Sequence, residues 1–221
     1  MPLLTIIGAG PGLGLEIARA FGRRGFDVAL VARTQARLDS LVETLVGEGI
    51  AAHAFAADIS RPGSVTEALR AIRDTLGPID VLEFSPADRS LATVDVLDVT
   101  MENLQPQIDF YLGGALTAVG AVLPDMIAAG EGTVLVVTGG GSLNPRPSLA
   151  NVNIAAAGLR NWALNLHNAL QPKGVYVAHM GITALIGGGH PDAEPEVIAE
   201  ALARLHDERR QPELHYVAYN G

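Results

Sequence analysis

Four glycines near the start of the chain have the spacing of a loop that binds phosphate. They stand in the stretch IIGAGPGLGLEIARAF, between an apolar run and an amphipathic segment. Glycine permits a tight turn and close backbone approach, and the free N–H groups that open a helix attract anions. The spacing predicts a dinucleotide pyrophosphate site at Gly8, Gly10, Gly12, Leu13 and Gly14, although a tight structural turn would select the same glycines.

The residues after the second and third apolar runs indicate which dinucleotide is preferred. A dinucleotide without a 2′-phosphate is usually held there by an acid, whereas LVARTQARL offers Arg33 and no acid. The planar guanidinium of Arg33, with Arg37 as a second candidate, can pair with a 2′-phosphate, which favours NADP(H). Alternatively, both arginines are merely solvated at a helix start. In AADIS, Asp58 and Ile59 are expected at the adenine, unless Asp58 only caps a turn.

The elements that must position these residues are seven apolar, β-rich runs that alternate with helical patterns. We expect strands at 3–7, 27–32, 51–56, 79–84, 133–138, 175–180 and 214–219, and helices at 12–24, 35–48, 64–76, 101–129, 149–171 and 194–208. This order predicts a single-domain α/β Rossmann-type fold over residues 1–221, a doubly wound parallel sheet with helices on both faces. Ligands then lie beyond the carboxyl ends of the strands. The segment 184–196, rich in glycine and proline, predicts a mobile substrate loop.

Composition narrows the function classes. The 221 residues are 48% hydrophobic, which suits one compact domain, and the formal charge of −9 argues against nucleic-acid or anionic-membrane partners. The absence of cysteine excludes disulfides and suits a reducing cytoplasm. No apolar run was expected to reach the roughly 18 residues of a membrane span. The histidines lack metal-ligand spacing, so no metal site is predicted.

Several stretches together resemble the short-chain dehydrogenase/reductase superfamily, from about residue 3 to residue 183. They are the glycine loop, LVART, AADIS, LGPIDVL, LPDMIAAGEGTVLVVT and AGLRNWALNLHNAL. The resemblance implies a Rossmann domain that binds NAD(P)(H), acts on a small molecule and commonly forms a homodimer or homotetramer. The Pro-Gly that the family carries after strand six reads HMG here, ending at Gly181, and the threonine that often follows it and contacts the carboxamide falls on Leu185, with Thr183 two residues away. Ser85 and Thr138, at strand ends, are further candidates for contact with the nicotinamide side of the cofactor.

The reactive end departs from the family pattern. The family uses a serine, a tyrosine and a lysine, and the aligned positions here hold Gly139, Val152 and Ala156. The thirteen-residue serine-to-tyrosine separation, 152 minus 139, is intact, which argues against a slipped alignment. The asparagine that the family carries on the helix after strand four falls on Tyr111.

Four residues are candidates for the missing catalytic groups. The phenol of Tyr111 could donate a proton to a developing alkoxide, and His179, at the end of strand six, could serve as an acid. Ser142 and Asn153 could bind a substrate carbonyl. Alternatively, Tyr111 is a packing aromatic, His179 is a core histidine, and the other two cap helices or form turns.

Three functions fit these observations. The first is an atypical NADPH-dependent reductase of a small carbonyl, imine or enone with a non-standard proton donor, and this is the function that we favour. The second is a non-redox enzyme that catalyses a cyclisation, elimination or isomerisation on the same scaffold. The third is a catalytically silent NADP(H)-binding sensor or partner subunit.

Overall fold

The computed structural model describes residues 1–218, which form one seven-stranded, wholly parallel sheet. The strands lie in the order β3-β2-β1-β4-β5-β6-β7. Their bounds are β1 (Leu3–Ile7), β2 (Asp27–Ala32), β3 (Ala52–Ala56), β4 (Val81–Phe84), β5 (Gly132–Gly139), β6 (Val175–Ala184) and β7 (Glu213–Ala218).

Within the described residues 1–218, seven α-helices cover the two faces of this sheet. They are α1 (Leu13–Gly22), α2 (Gln35–Gly47), α3 (Pro62–Leu76), α4 (Met101–Gln107), α5 (Gly114–Ala129), α6 (Ala150–Leu170) and α7 (Pro195–Glu208). One buried cluster joins α1, α2 and α7 to one face of the sheet, and a second joins α3, α5 and α6 to the other. Central strands such as β1 are buried along their whole length because helices cover both faces. The expected single-domain Rossmann-type fold is confirmed.

The strand order reverses between β1 and β4, which are neighbours in the sheet although they are not consecutive in the chain. Chain crossovers leave β1 toward β2 and β4 toward β5, so the loops that follow these two strands diverge. Such a divergence opens a crevice beyond the carboxyl ends of the strands, which is where doubly wound folds bind ligands. The glycine loop after β1 lies at this crevice.

Most predicted bounds differ from the structure by no more than two residues, as at β4, which begins at Val81 and not at residue 79. Three elements need separate mention. The expected helix 101–129 is divided, because Ile108–Gly113 forms a π-helical turn between α4 and α5. Strand β6 extends to Ala184, four residues further than predicted. The predicted last strand, 214–219, begins one residue earlier, at Glu213, and its final residue lies outside the described residues.

The composite helix Met101–Ala129 also changes the expectation about membrane spans. Among the described residues it is the one helix long and apolar enough to cross a membrane by length and composition alone. The core helix of a soluble protein passes the same test. Here the α5 part packs against α3 in the second buried cluster through residues such as Ala118, Val119 and Val122.

Candidate functional site

The loop after β1 brings the backbone close to the end of β4. Gly8 has a left-handed φ of 102°, and a Cβ at this position would overlap the backbone of Pro86 and Ser85. The N–H groups of Gly8 and Ala9 both donate to the carbonyl oxygen of Val31, at 2.9 and 3.1 Å. Glycine at position 8 is therefore required both by conformation and by space.

The amino end of α1 is open to an anion. No described side chain caps this helix, and its first N–H group with an acceptor among residues 1–218 is that of Leu15, which donates to the carbonyl oxygen of Gly10 at 2.9 Å. Glu16, the acid of the first turn, is paired with Arg19. Gly10 and Gly12 have no atom within 4 Å of a built Cβ, so the backbone here faces open space. The loop therefore fits a pyrophosphate.

Arg33 lies at the edge of the same crevice, just after β2. Its side chain is 55% exposed, and its Nη1 contacts the Asp88 carboxylate, in the loop after β4, at 2.8 Å. Asp88 also accepts hydrogen bonds from the hydroxyl and the N–H of Ser90, and these bonds, more than Arg33, hold its pKa below the usual range. The guanidinium is thus exposed, and its partner is a carboxylate of the chain itself.

The two residues expected at the adenine differ in orientation. The Asp58 carboxylate accepts hydrogen bonds from the hydroxyl and the N–H of Ser60, which lower its pKa, and the charge of Arg33 adds to this effect. Ile59 is buried, and its side chain packs on Gly114 of α5. Asp58 therefore stays near Arg33 in an Asx-type turn, while Ile59 can face a ligand only through its backbone.

Ser85 connects the crevice to a buried acid. Its N–H donates to the carbonyl oxygen of Ile7, and its hydroxyl donates to Glu83 Oε2 at 3.1 Å. Glu83 of β4 is fully buried, and burial raises its pKa to about 8. Sequence analysis missed Glu83, although an acid between Leu82 and Phe84 of an apolar strand is a visible signal.

At the reactive end, hydrogen bonds join residues from three strands and the turn after β5. Thr138 Oγ1 lies 2.8 Å from Ser142 Oγ and 2.8 Å from His179 Nε2. On the other side of the imidazole, His179 Nδ1 lies 3.0 Å from Glu213 Oε1. Thr138 and Ser142 are 6% and 7% exposed. Two predicted catalytic residues, Ser142 and His179, and the predicted nicotinamide contact Thr138 are thus brought together, and Glu213 joins them.

The charges around His179 determine its protonation. Arg160 of α6 donates to both carboxylate oxygens of Glu213, with Nη2 at 2.7 Å from Oε2, and holds the pKa of Glu213 below its usual value. Burial lowers the pKa of His179, an effect that the Glu213 carboxylate partly offsets. His179 is 0% exposed and both ring nitrogens are bonded. The expectation that His179 meets a substrate directly is therefore corrected: it can act only through Thr138.

The remaining candidates near the reactive end hold the turn after β5. Asn153 packs over Gly141, and its Nδ2 donates to the carbonyl oxygen of Arg146 at 3.1 Å. The side chain of Thr183 lies against Gly140, with its Oγ1 2.8 Å from His215 Nε2. At Gly181, Leu143 fills the space that a Cβ would need. Asn153 is thus engaged by the turn, which is the packing alternative considered for it.

Tyr111 lies apart from this hydrogen-bonded group, in the π-helical turn. It is half-buried and its ring packs edge-on against Phe110, with centroids 5.0 Å apart. Burial raises the pKa of its phenol, and the charge of Asp88 raises it further. Tyr111 therefore remains protonated at neutral pH, on the side of the crevice where Asp88 lies. Its contact with Phe110 also fits the alternative that Tyr111 is a packing aromatic.

The segment predicted as a substrate loop is a structured connection between β6 and α7. Gly187 N–H donates to the carbonyl oxygen of Ala193, and the Tyr216 hydroxyl donates to that of Asp192. The segment borders a cavity of about 400 Å³, together with Ala218 at the end of β7. Across residues 1–218, no group of three or more His, Cys, Asp or Glu side chains is arranged to hold a metal ion.

Comparison with known proteins gives one family. The model of the short chain dehydrogenase family matches residues 3–185. The very-long-chain 3-oxoacyl-CoA reductase of Neurospora crassa is 30% identical over 82% of this chain, and that of Podospora anserina is 29% identical over 78%. The chain spans about half the length of these two relatives, 55% and 52%. L-sorbose reductase of Gluconobacter frateurii, crystallised with NADPH and L-sorbose, superimposes with a TM-score of 0.86 at 19% identity, covering 98% of this chain and 94% of that one.

Proposed function

Because the chain belongs to the short-chain dehydrogenase family, we propose that it is an NADP(H)-dependent oxidoreductase that reduces a small carbonyl, imine or enone. The observation that carries the proposal is the crevice between β1 and β4, where the open amino end of α1 and the exposed Arg33 lie together. The first would hold the pyrophosphate and the second the 2′-phosphate. The bound nicotinamide supplies a hydride, and the chain orients the substrate and provides the proton.

Two further observations support this function. The L-sorbose reductase that shares the fold was crystallised with NADPH, and the relatives from Neurospora crassa and Podospora anserina are named as reductases of a 3-oxoacyl substrate. Gly139, Val152 and Ala156 stand where the sequence alignment expects the serine, tyrosine and lysine, so the proton has to come from another group. Tyr111 and the hydrogen-bonded group that ends at Ser142 remain as candidates.

A titration calorimetry experiment tests the cofactor. NADPH should bind at least about tenfold more tightly than NADH, since the 2′-phosphate adds charge-assisted hydrogen bonds worth about 1.5–3 kcal/mol. Arg33→Gln should remove most of this preference and leave NADH binding unchanged. Arg23→Gln is the matched control, because Arg23 is also exposed but lies at the opposite end of α1. Equal binding of both dinucleotides by the wild type would refute the assignment of Arg33.

The carboxylate of Asp88 provides an opposite test of the same site. It competes with a phosphate for Arg33 and repels the phosphate charge. Asp88→Asn should therefore tighten NADPH binding severalfold, with a smaller effect on NADH. Weaker NADPH binding by this variant would show that Asp88 helps to hold the cofactor.

The reaction is tested with ethyl acetoacetate, cyclohexenone and a cyclic imine, by following NADPH absorbance. Consumption of NADPH with at least one of them supports the reductase. Tight NADPH binding without consumption by any would instead favour the non-redox enzyme or the silent binding protein.

A homodimer or homotetramer through α5 and α6, to be checked by sedimentation, is supported by Leu116 and Ile154, each 46% exposed on these helices. A cytoplasmic location remains a proposal, to be checked by fractionation.

A further inference from the structure

We propose that Glu213, His179, Thr138 and Ser142 form a proton relay, in which Ser142 gives the proton to the substrate oxygen. The inference rests on the proposed reductase function and supplies the proton donor that the family-aligned positions lack. Ser142 would be the catalytic residue, and the other three would act through it. Thr138, His179 and Glu213 lie on the sheet face covered by α6, since β6 and β7 pair His179 with Glu213 and β5 places Thr138 diagonally across from His179. Ser142 follows in the turn after β5.

The direction of the hydrogen bonds follows from one ionised group. Glu213 is held as a carboxylate by Arg160 and can only accept, so His179 Nδ1 must donate to it. When the imidazole is neutral, Nε2 accepts from the Thr138 hydroxyl, which in turn accepts from Ser142. In that state each hydrogen of the relay is donated toward Glu213.

Protonation of His179 reverses this direction. Both ring nitrogens then donate, so the Thr138 hydroxyl turns away from His179, to Ser142 Oγ at 2.8 Å, which is nearer than its other acceptor, the Gly139 carbonyl oxygen at 3.1 Å. The Ser142 hydrogen is then free to point to a substrate. One proton on the imidazole thus switches the relay from accepting to donating. This matches the two directions of a dehydrogenase reaction, because reduction needs a proton donor and oxidation needs an acceptor.

Reduction of a carbonyl consumes one hydride and one proton. The bound nicotinamide would supply the hydride to the carbonyl carbon; the carbon–oxygen π bond would break and leave an alkoxide on the substrate. Ser142 transfers its hydroxyl proton to that oxygen, Thr138 reprotonates Ser142, and the imidazolium of His179 reprotonates Thr138 through Nε2. His179 is left neutral, with Nδ1–H still donated to Glu213. After the product alcohol leaves, solvent water in the crevice returns the proton to Nε2 through Ser142 and Thr138, the reverse of the path by which it left.

The surroundings of His179 give the relay a defined pH dependence. The charged groups that face it are Glu213 on β7 and Arg160 on α6, and β5 contributes only the neutral Thr138. His167 of α6 and His215 of β7 are bonded elsewhere, to the Val177 carbonyl oxygen and to Thr183. The pKa of His179 is lowered, so reduction should become faster as pH falls below neutrality, and oxidation should become faster as pH rises.

Thr138 offers the sharpest substitution. Thr138→Val keeps the shape of the side chain and removes the hydroxyl that joins Ser142 to His179, whereas Thr138→Ser keeps the hydroxyl. With ethyl acetoacetate and NADPH, Thr138→Val should lower kcat about 10²-fold or more and abolish the increase toward acid pH. Thr138→Ser should retain both within about threefold. NADPH affinity is measured for each variant by titration calorimetry, so that a lost nicotinamide contact is told apart from a lost relay.

A measurement on the protein without cofactor tests the relay separately from turnover. ¹⁵N NMR should show His179 as the neutral Nδ1–H tautomer at neutral pH. Glu213→Gln should lower its pKa further, because the carboxylate that favours the imidazolium is lost. Glu200→Gln is the control, since it breaks a comparable ion pair, to Arg24, away from the relay. It should leave the titration of His179 unchanged.

The outcomes separate the relay from the function on which it rests. Loss of kcat and of the pH dependence in Thr138→Val, with recovery in Thr138→Ser, supports the relay. Wild-type kcat and pH profile in Thr138→Val, or an Nε2–H tautomer of His179, would overturn the relay and leave the reductase intact. If the wild type binds NADPH but reduces none of the probes, both proposals fail together.

Discussion

The buried carboxyl of Glu83 should make the stability of this protein fall as pH rises. Glu83 is 0% exposed, its Oε2 accepts one hydrogen bond from Ser85, and within residues 1–218 its Oε1 has no partner. Burial disfavours the charged form and raises the pKa from 4.5 to about 8. The folded protein therefore keeps a proton at neutral pH that the unfolded chain releases.

The sign and the magnitude follow from this difference. Below the unfolded pKa of 4.5 both states are protonated and stability is unaffected; above it, the free energy of unfolding falls by about 1.4 kcal/mol per pH unit until pH reaches about 8. At neutral pH the cost is about 3 kcal/mol. Glu83→Gln removes the ionisable group, so the difference in unfolding free energy between variant and wild type should grow by about 3 kcal/mol from about pH 5.5 to about pH 7.5.

Urea denaturation across this pH range measures the effect. Because the new amide lacks the partners of a carboxylic acid, Glu83→Gln can carry a constant offset of about 1–3 kcal/mol, and only the slope against pH tests the reasoning. Glu67→Gln, at an exposed position of α3, is the control for the change in net charge. Parallel stability curves for Glu83→Gln and wild type would refute the claim that Glu83 is protonated in the folded state.

Two other substitutions test the described structure. His206 is buried beside Phe21, and burial lowers its pKa to about 4. The free energy of unfolding of the wild type should therefore fall by about 3 kcal/mol relative to that of His206→Gln as pH falls from 6.5 to about 4. Equal loss of stability in acid for both proteins would contradict this. Gly8→Ala places a Cβ against Pro86 at a left-handed φ and should lower the free energy of unfolding by at least about 2 kcal/mol, measured by urea denaturation. Gly10→Ala, where the Cβ meets nothing within 4 Å, should cost much less, and similar losses in both variants would disprove the close approach.

The sheet could be predicted from the sequence because local pattern and tertiary environment agree there. Strands buried on both faces are continuous apolar runs, as in β1 and β2, and Gly8 marks the turn that follows. Each of the seven strands was therefore located to within a few residues, apart from the last four residues of β6. That end was missed because Gly181–Ala184 includes glycine and threonine, which weaken the apolar pattern.

The hydrogen-bonded group at the reactive end could not be predicted in full, because it depends on strand pairing. His179 and Glu213 are 34 residues apart and meet only because β6 and β7 are neighbours in this register. Ser142 and His179 were each singled out from residue type and position, but the sequence does not show that Thr138 joins them. It also does not show that His179 is completely buried, a property that its neighbours on α6 determine.

The π-helical turn at Ile108–Gly113 affects how related chains can be compared with this one. In a regular α-helix each residue advances about 100° around the axis, so a turn that accommodates an extra residue puts α4 and α5 out of phase with each other. Two chains of this family that differ by such a turn would present different side chains to the crevice from the same aligned column. Deleting one residue between Ile108 and Gly113 should therefore rotate Tyr111 away from its present direction. By such an insertion in a helix, a family can change which residue faces the substrate without altering the sheet.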